Sequence, residues 1–155
     1  PLLIKMAKEI EAVKCFKIEC SQAASKLRKL VVEGGDAIEG PFDGEEGITL
    51  FADLEAGATG NMSSAMIPDL IRPVVLDYLS GEIDKSEDKY NDILPIINYE
   101  NRQCGFRATK VIMKEGGVIN SDFCRHPIST LEEQTKAGLI KLVKKYDPIA
   151  LRWGK

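Results

Sequence analysis

At 155 residues and a formal charge of −3 (21 Lys and Arg against 24 Asp and Glu), the chain has the length of one domain with a sizeable core. Its 44% hydrophobic and 29% charged residues exclude a disordered chain. The acidic balance argues against a nucleic-acid partner, which needs a basic face, and no apolar run approaches the roughly 18 residues of a membrane span.

The chain opens on Pro1-Leu2-Leu3 without an initiator Met. Lys5, Lys8 and Glu9 interrupt its apolar residues, which is helix patterning and not a signal peptide. The opening therefore reads as truncation upstream of a cytoplasmic protein. Leu2, Leu3, Met6, Ala7 and Ile10 recur at helical spacing, so residues 1–11 are expected to form a helix with Pro1 at its start. Residues 13–19 read as a strand. Ser21 is placed to cap a second helix, whose apolar stripe is Ala24, Leu27, Leu30 and Val31 and which Gly34-Gly35 ends. Residues 37–40 read as a strand, 41–47 as a loop, 48–56 as a helix and 57–62 as a glycine-flanked strand.

Residues 1–64 thus alternate helices with short strands, the pattern of βαβ units and a parallel sheet. Residues 65–155 read as all-helical, with helices over 65–79, 85–103, 106–114 and 130–146. Ser129 and Glu132 are spaced as a capping box for the last. Three short parallel strands make a poor free-standing sheet, because parallel sheets are normally covered on both faces and open edges invite pairing.

Lys17 is the first residue with chemistry to offer. Alternation puts Cys15, Lys17 and Glu19 on one face of the strand and Phe16 and Ile18 on the other. If the second face meets helices, the first points into a barrel or cleft. Desolvation there would lower the lysine pKa and free the amine to attack a ketone. The structural alternative is a lysine paired with Glu19. The loop Gly40-Pro41-Phe42-Asp43-Gly44-Glu45-Glu46-Gly47 falls at the carboxyl end of a strand, where β/α proteins place active sites. Its amides could hold a carboxylate, or its glycines could simply permit a tight turn. In Gly57-Ala58-Thr59-Gly60-Asn61-Met62-Ser63-Ser64 the small residues serve either ligand approach or packing. Arg125-His126-Pro127 reads as structural. Cys15, Cys20, Cys104 and Cys124 have no C-x-x-C spacing, and His126 is the single histidine, so neither a metal site nor a disulfide scaffold is expected.

Together these segments resemble the dihydrodipicolinate synthase/N-acetylneuraminate lyase family. Phe16-Lys17-Ile18-Glu19 is similar to the family's strand-six Ile-Lys-Glu-Ala, Gly44-Glu45-Glu46 to its Gly-Asp-Asp-like loop, and Gly57-Ala58-Thr59-Gly60-Asn61-Met62-Ser63 to its Gly-x-x-Gly-x-Ile-Ser. Lys110, Gly116 or Gly117 and Arg125-His126-Pro127 are similar to its later Lys…Gly…Arg-x-Pro. The extra residue between Lys17 and Glu19 looks more like the sugar-acid dehydratase branch.

The resemblance implies an α/β fold, the C-terminal part of a (β/α)8 TIM barrel: strands six to eight in residues 1–64, then the last barrel helix and a helical extension in 65–155. A complete barrel takes about 250 residues. The family's Gly-Thr-Thr-Gly-Glu segment and its proton-relaying tyrosine have no counterpart in this sequence. The resemblance further implies a Schiff base between Lys17 and a substrate keto group, with no other cofactor. Gly44 and Glu45 would sit on the pocket rim, and Met62 would line the pocket through its backbone. The implied enzyme is a lyase acting on a small-molecule 2-keto acid by aldol cleavage, condensation or dehydration, foremost on a 2-keto-3-deoxy sugar acid, as a homo-oligomer (a tetramer). The alternatives are dihydrodipicolinate synthase itself, and a non-catalytic assembly module with a structural Lys17. The 155 residues alone are expected to be inactive and prone to self-association.

Overall fold

Three short parallel strands and the helices between them begin the computed structural model, which describes residues 1–155. The order is α1 (Leu2–Glu9), β1 (Cys15–Ile18), α2 (Ala23–Gly34), β2 (Gly40–Asp43), α3 (Leu50–Glu55) and β3 (Gly60–Asn61). Then come α4 (Pro68–Leu79), α5 (Ile83–Tyr99), α6 (Arg107–Glu115) and α7 (Glu133–Val143). The sheet runs β1-β2-β3, so β1 and β3 are edges with one partner each.

Cys15 pairs with Gly40, Lys17 with Phe42 and Ile18 with Asp43, while Phe42 pairs with Gly60 and Asp43 with Asn61. Along β1, Phe16 and Ile18 are buried and Cys15 and Lys17 exposed, as alternation requires. Helix α2 packs on β1 and β2, and lies against α1 and α3. Its Leu27 is fully buried, as are Ile18 and Leu50.

The chain divides into two compact units, where the sequence suggested one boundary at 64/65. The first holds Pro1–Ser63 together with Val74–Glu87. In it the rings of Phe51 and Tyr78 meet edge to face with centroids 5.5 Å apart. The second unit holds Ser64–Pro73 and Asp88–Lys155. In it α6 packs on α7 around Ala108, Ile112, Leu139 and Val143. Asp122 is held by Lys114 at 2.7 Å and Lys136 at 2.6 Å. No helix is long and apolar enough to cross a membrane.

Several local expectations need correction. The second strand is Gly40–Asp43 and not 37–40, because Pro41 continues the ladder: its carbonyl accepts the Thr59 N–H at 2.9 Å, and no N–H is asked of it. Ser21 does not cap α2; Gln22 occupies that position in a left-handed conformation (φ 59°) and no side chain caps the helix. The capping box is likewise absent. Helix α7 starts after Glu132 without a side-chain cap, and Ser129 Oγ instead accepts from Arg107 at 3.3 Å. Helix α5 stops at Tyr99 and passes into a wider π turn, Glu100–Cys104, ended by Gly105 at φ 58°.

Candidate active site

Lys17 stands third of four residues in β1, toward its carboxyl end, on the face that carries Cys15. Across the register lies Phe42. The ring of Phe42 has room because its neighbours are glycines: a Cβ on Gly60 would come within 2.8 Å of the ring, and one on Gly40 within 2.6 Å. The lysine chain itself runs over Gly44, where a Cβ would lie 2.7 Å from Lys17 Cγ and 2.8 Å from Cε. The glycines therefore shape the lysine's own surface.

The expected desolvation of Lys17 is not seen in this chain. Its side chain is 36% exposed and its Nζ lies 3.1 Å from Glu19 Oε2. The face is open: Cys15 is exposed beside Lys17, and Met62 is exposed beyond the end of β3.

The structure brings the remaining candidates to the same end of the sheet. Gly44 donates its N–H to Ile18 O at 2.9 Å, directly beside Lys17. Glu45 follows it, and the Met62 N–H donates to Asp43 O at 2.8 Å. Several of the loop's amides are spent within the fold. The N–H groups of Gly44, Glu45, Ile48 and Leu50 are all engaged, with Ile18 O, Asp43 Oδ1, Glu45 O and Gly47 O respectively. The loop turns tightly through Glu46 (φ 55°) and Gly47 (φ 84°), so of its two sequence readings the tight turn describes it. Arg125-His126-Pro127 lies in an exposed turn.

Sequence reasoning missed the carboxyls beneath this end of the sheet. Asp43 is fully buried; its Oδ1 accepts the Glu45 N–H at 2.9 Å and its Oδ2 accepts from Asn61 Nδ2. Asp53, on α3, is also fully buried and accepts from Thr49 Oγ1 at 2.7 Å, while its Oδ1 has no donor. Burial pushes Asp53 up to about 6, the Thr49 hydroxyl opposes this, and the nearby Asp43 and Glu45 carboxyls add to it. The available signal was alternation: carried one residue past Phe42, it places an acid on the helix-covered face.

Parallel strands joined by helices, with a primary amine at the carboxyl end of one strand and glycine-rich segments around it, define an α/β protein. The chain belongs to the dihydrodipicolinate synthetase family, whose model matches residues 3–146. It is 52% identical over 153 residues to the L-2-keto-3-deoxyarabonate dehydratase of Azospirillum brasilense, covering 99% of this chain and 50% of that one. Among solved structures it resembles dihydrodipicolinate synthase from Aquifex aeolicus at a TM-score of 0.82 and 18% identity, covering 94% of this chain and 49% of that one. It also resembles Proteus mirabilis N-acetylneuraminate lyase at 0.71 and 22%, covering 94% and 48%. These two likenesses show the fold. The chain spans about half the length of the relatives it matches.

Proposed function

We propose that this chain supplies the Schiff-base lysine of a lyase, as the part of a (β/α)8 barrel that carries strands six to eight, and that the full-length enzyme dehydrates a 2-keto-3-deoxy sugar acid. The observation that carries the reading is Lys17 at the carboxyl end of β1, on the open face of the sheet and packed on Gly44. The 52% identity to a dehydratase of such an acid supports the substrate class.

The covalent chemistry runs through the lysine amine, with a proton relay that the rest of the full-length enzyme would supply. Further strands closing over the face of Cys15, Lys17 and Phe42 would withdraw Lys17 from water and favour its neutral amine. That amine attacks the substrate's keto carbon; the carbinolamine loses water and leaves a protonated imine. The imine acidifies the neighbouring CH₂. A base takes that proton and passes it to the hydroxyl one carbon further on, which the enamine electrons expel as water, and hydrolysis of the imine releases product and free lysine. Glu19, 3.1 Å from Nζ, is the acid next to the amine in this chain. Gly44 and Glu45 form the rim, and Met62 offers its backbone to the pocket. The enzyme is proposed to work as a homo-oligomer with no bound cofactor.

The test is inactivation. Borohydride added to full-length protein together with pyruvate or a 2-keto-3-deoxy acid is expected to abolish activity irreversibly, whereas either reagent alone leaves it intact. Retained activity after the combined treatment would remove the reading. A second reading, an assembly module with a structural Lys17, is favoured by the Lys17–Glu19 ion pair. It requires Lys17→Ala to keep whatever activity the full-length protein shows.

A further inference from the structure

We propose that Asp43 is a positioning residue of the Lys17 site, its buried carboxylate holding the Gly44–Glu45 rim and the end of β3 in place beneath the lysine. The proposal rests on the reading of Lys17 as the reactive amine.

Asp43 lies on the opposite face of the sheet from Lys17, since Ile18 and not Lys17 is its register partner. From there it reaches every other candidate residue. Its Oδ1 accepts the Glu45 N–H at 2.9 Å, closing a turn around Gly44. That turn presents Gly44 to the Lys17 chain, where even a Cβ would lie 2.7 Å from Cγ. Its Oδ2 accepts from Asn61 Nδ2 on β3, and its main-chain oxygen accepts the Met62 N–H at 2.8 Å. One residue therefore ties together the three segments that carry Gly44, Glu45 and Met62.

The chemistry of this arrangement is costly for a merely structural purpose. Asp43 is fully buried, has no cationic partner, and lies near a second fully buried carboxyl, Asp53. A buried carboxyl group without a cationic partner is held by its hydrogen bonds. Those with Glu45 and Asn61 go to the loop and to β3, while Asp53 on α3 faces Asp43 from the helical side.

The two side-chain bonds differ in what can replace them. An asparagine at position 43 can still accept the Glu45 N–H through Oδ1. Its Nδ2 can donate to Asn61 Oδ1, a buried oxygen that lacks a partner, once the Asn61 amide turns over. An alanine can do neither.

The experiment measures borohydride trapping of a keto acid at Lys17 in full-length protein, with amide hydrogen exchange at Glu45 read in parallel. Asp43→Ala is expected to slow trapping at saturating keto acid by at least about tenfold, with half-saturation little changed. It is also expected to expose the Glu45 amide to exchange. Asp43→Asn is expected to restore both to within about threefold of wild type. Should Asp43→Ala fail to fold, Asn61→Ala takes its place. It removes the donor to Oδ2 without touching Glu45, and is expected to slow trapping by about threefold at unchanged half-saturation. Wild-type protein that traps nothing at Lys17 removes the reading of Lys17 and this proposal with it. Normal trapping in wild type and in folded Asp43→Ala removes this proposal alone. So does an Asp43→Asn variant as slow as Asp43→Ala, which would mark Asp43 as structural.

Discussion

The side chain of Lys17 lies directly on Gly44, with the place of a Gly44 Cβ 2.7 Å from Lys17 Cγ and 2.8 Å from both Lys17 Cε and the Ile18 carbonyl oxygen. Those distances leave no space for a methyl group. The lysine chain can swing aside, but the carbonyl cannot, because it accepts the Gly44 N–H that continues the β1–β2 ladder. Gly44→Ala is therefore expected to destabilise full-length protein by about 1–3 kcal/mol through overpacking and to displace Lys17. Thermal unfolding and the rate of imine trapping should fall together. An unchanged melting temperature with unchanged trapping would show that the contact is slack.

Asp53 gives stability a pH dependence of unusual sign for a carboxyl. Its folded-state value, raised by burial to about 6, lies above its ordinary 3.8. The folded protein thus holds a proton that the unfolded chain releases. Stability from this group is fully present below 3.8 and is lost as pH rises through about 6. Asp53→Asn carries no such charge. Between about pH 4 and pH 7 the variant is expected to gain on wild type by on the order of 2–3 kcal/mol in denaturant unfolding. A gap that stays constant across that range would contradict the burial of an ionisable Asp53.

Asp122 behaves in the opposite way. Hydrogen bonds from Lys114 and Lys136 hold its carboxyl well below the usual range. Its contribution is present above the ordinary value of 3.8 and fades only as pH falls below it. The side chains are partly solvated, so Asp122→Asn is expected to cost only about 1 kcal/mol at neutral pH, and less in acid. Urea unfolding at two pH values checks this; an equal cost at both would remove the charge pairing as its cause.

The four cysteines differ in reach, and Cys104 is the most protected. It is buried at the end of the π turn, and burial pushes its thiol up from 9.0 to about 11, with Arg107 opposing weakly. Near pH 8 its alkylation in native protein is expected to be at least about a hundredfold slower than in unfolded protein. Equal labelling of Cys104 in both states, read by peptide mass spectrometry, would place it at the surface.

How far the sequence carried these conclusions depended on the range of the forces involved. The two faces of β1 were legible because alternation from Cys15 to Ile18 is a local property, and Phe16 and Ile18 are buried. The family was legible from short segments in their order. The course of β2 was not, since a proline suggests a break, and only the partner strand reveals that Pro41 needs no N–H. Asp43 and Asp53 stayed hidden for a related reason. A carboxyl in a Gly/Glu-rich stretch reads as solvated, and the burial of Asp43 depends on Asn61 arriving from β3, 18 residues away. Helix α3, Leu50–Glu55, is too short to show an apolar period. The exposure of Lys17 was also beyond local patterning, because alternation tells which face a residue takes and not what covers it.

The central claim, that Lys17 forms the imine, is tested most directly by mapping the trapped bond. Full-length protein reduced with borohydride in the presence of a 2-keto-3-deoxy sugar acid is digested, and its peptides are weighed. The expected result is a substrate-derived mass increment on Lys17 in wild type and none in Lys17→Arg, which also loses turnover. An adduct confined to another lysine, or full turnover by Lys17→Arg, would contradict it.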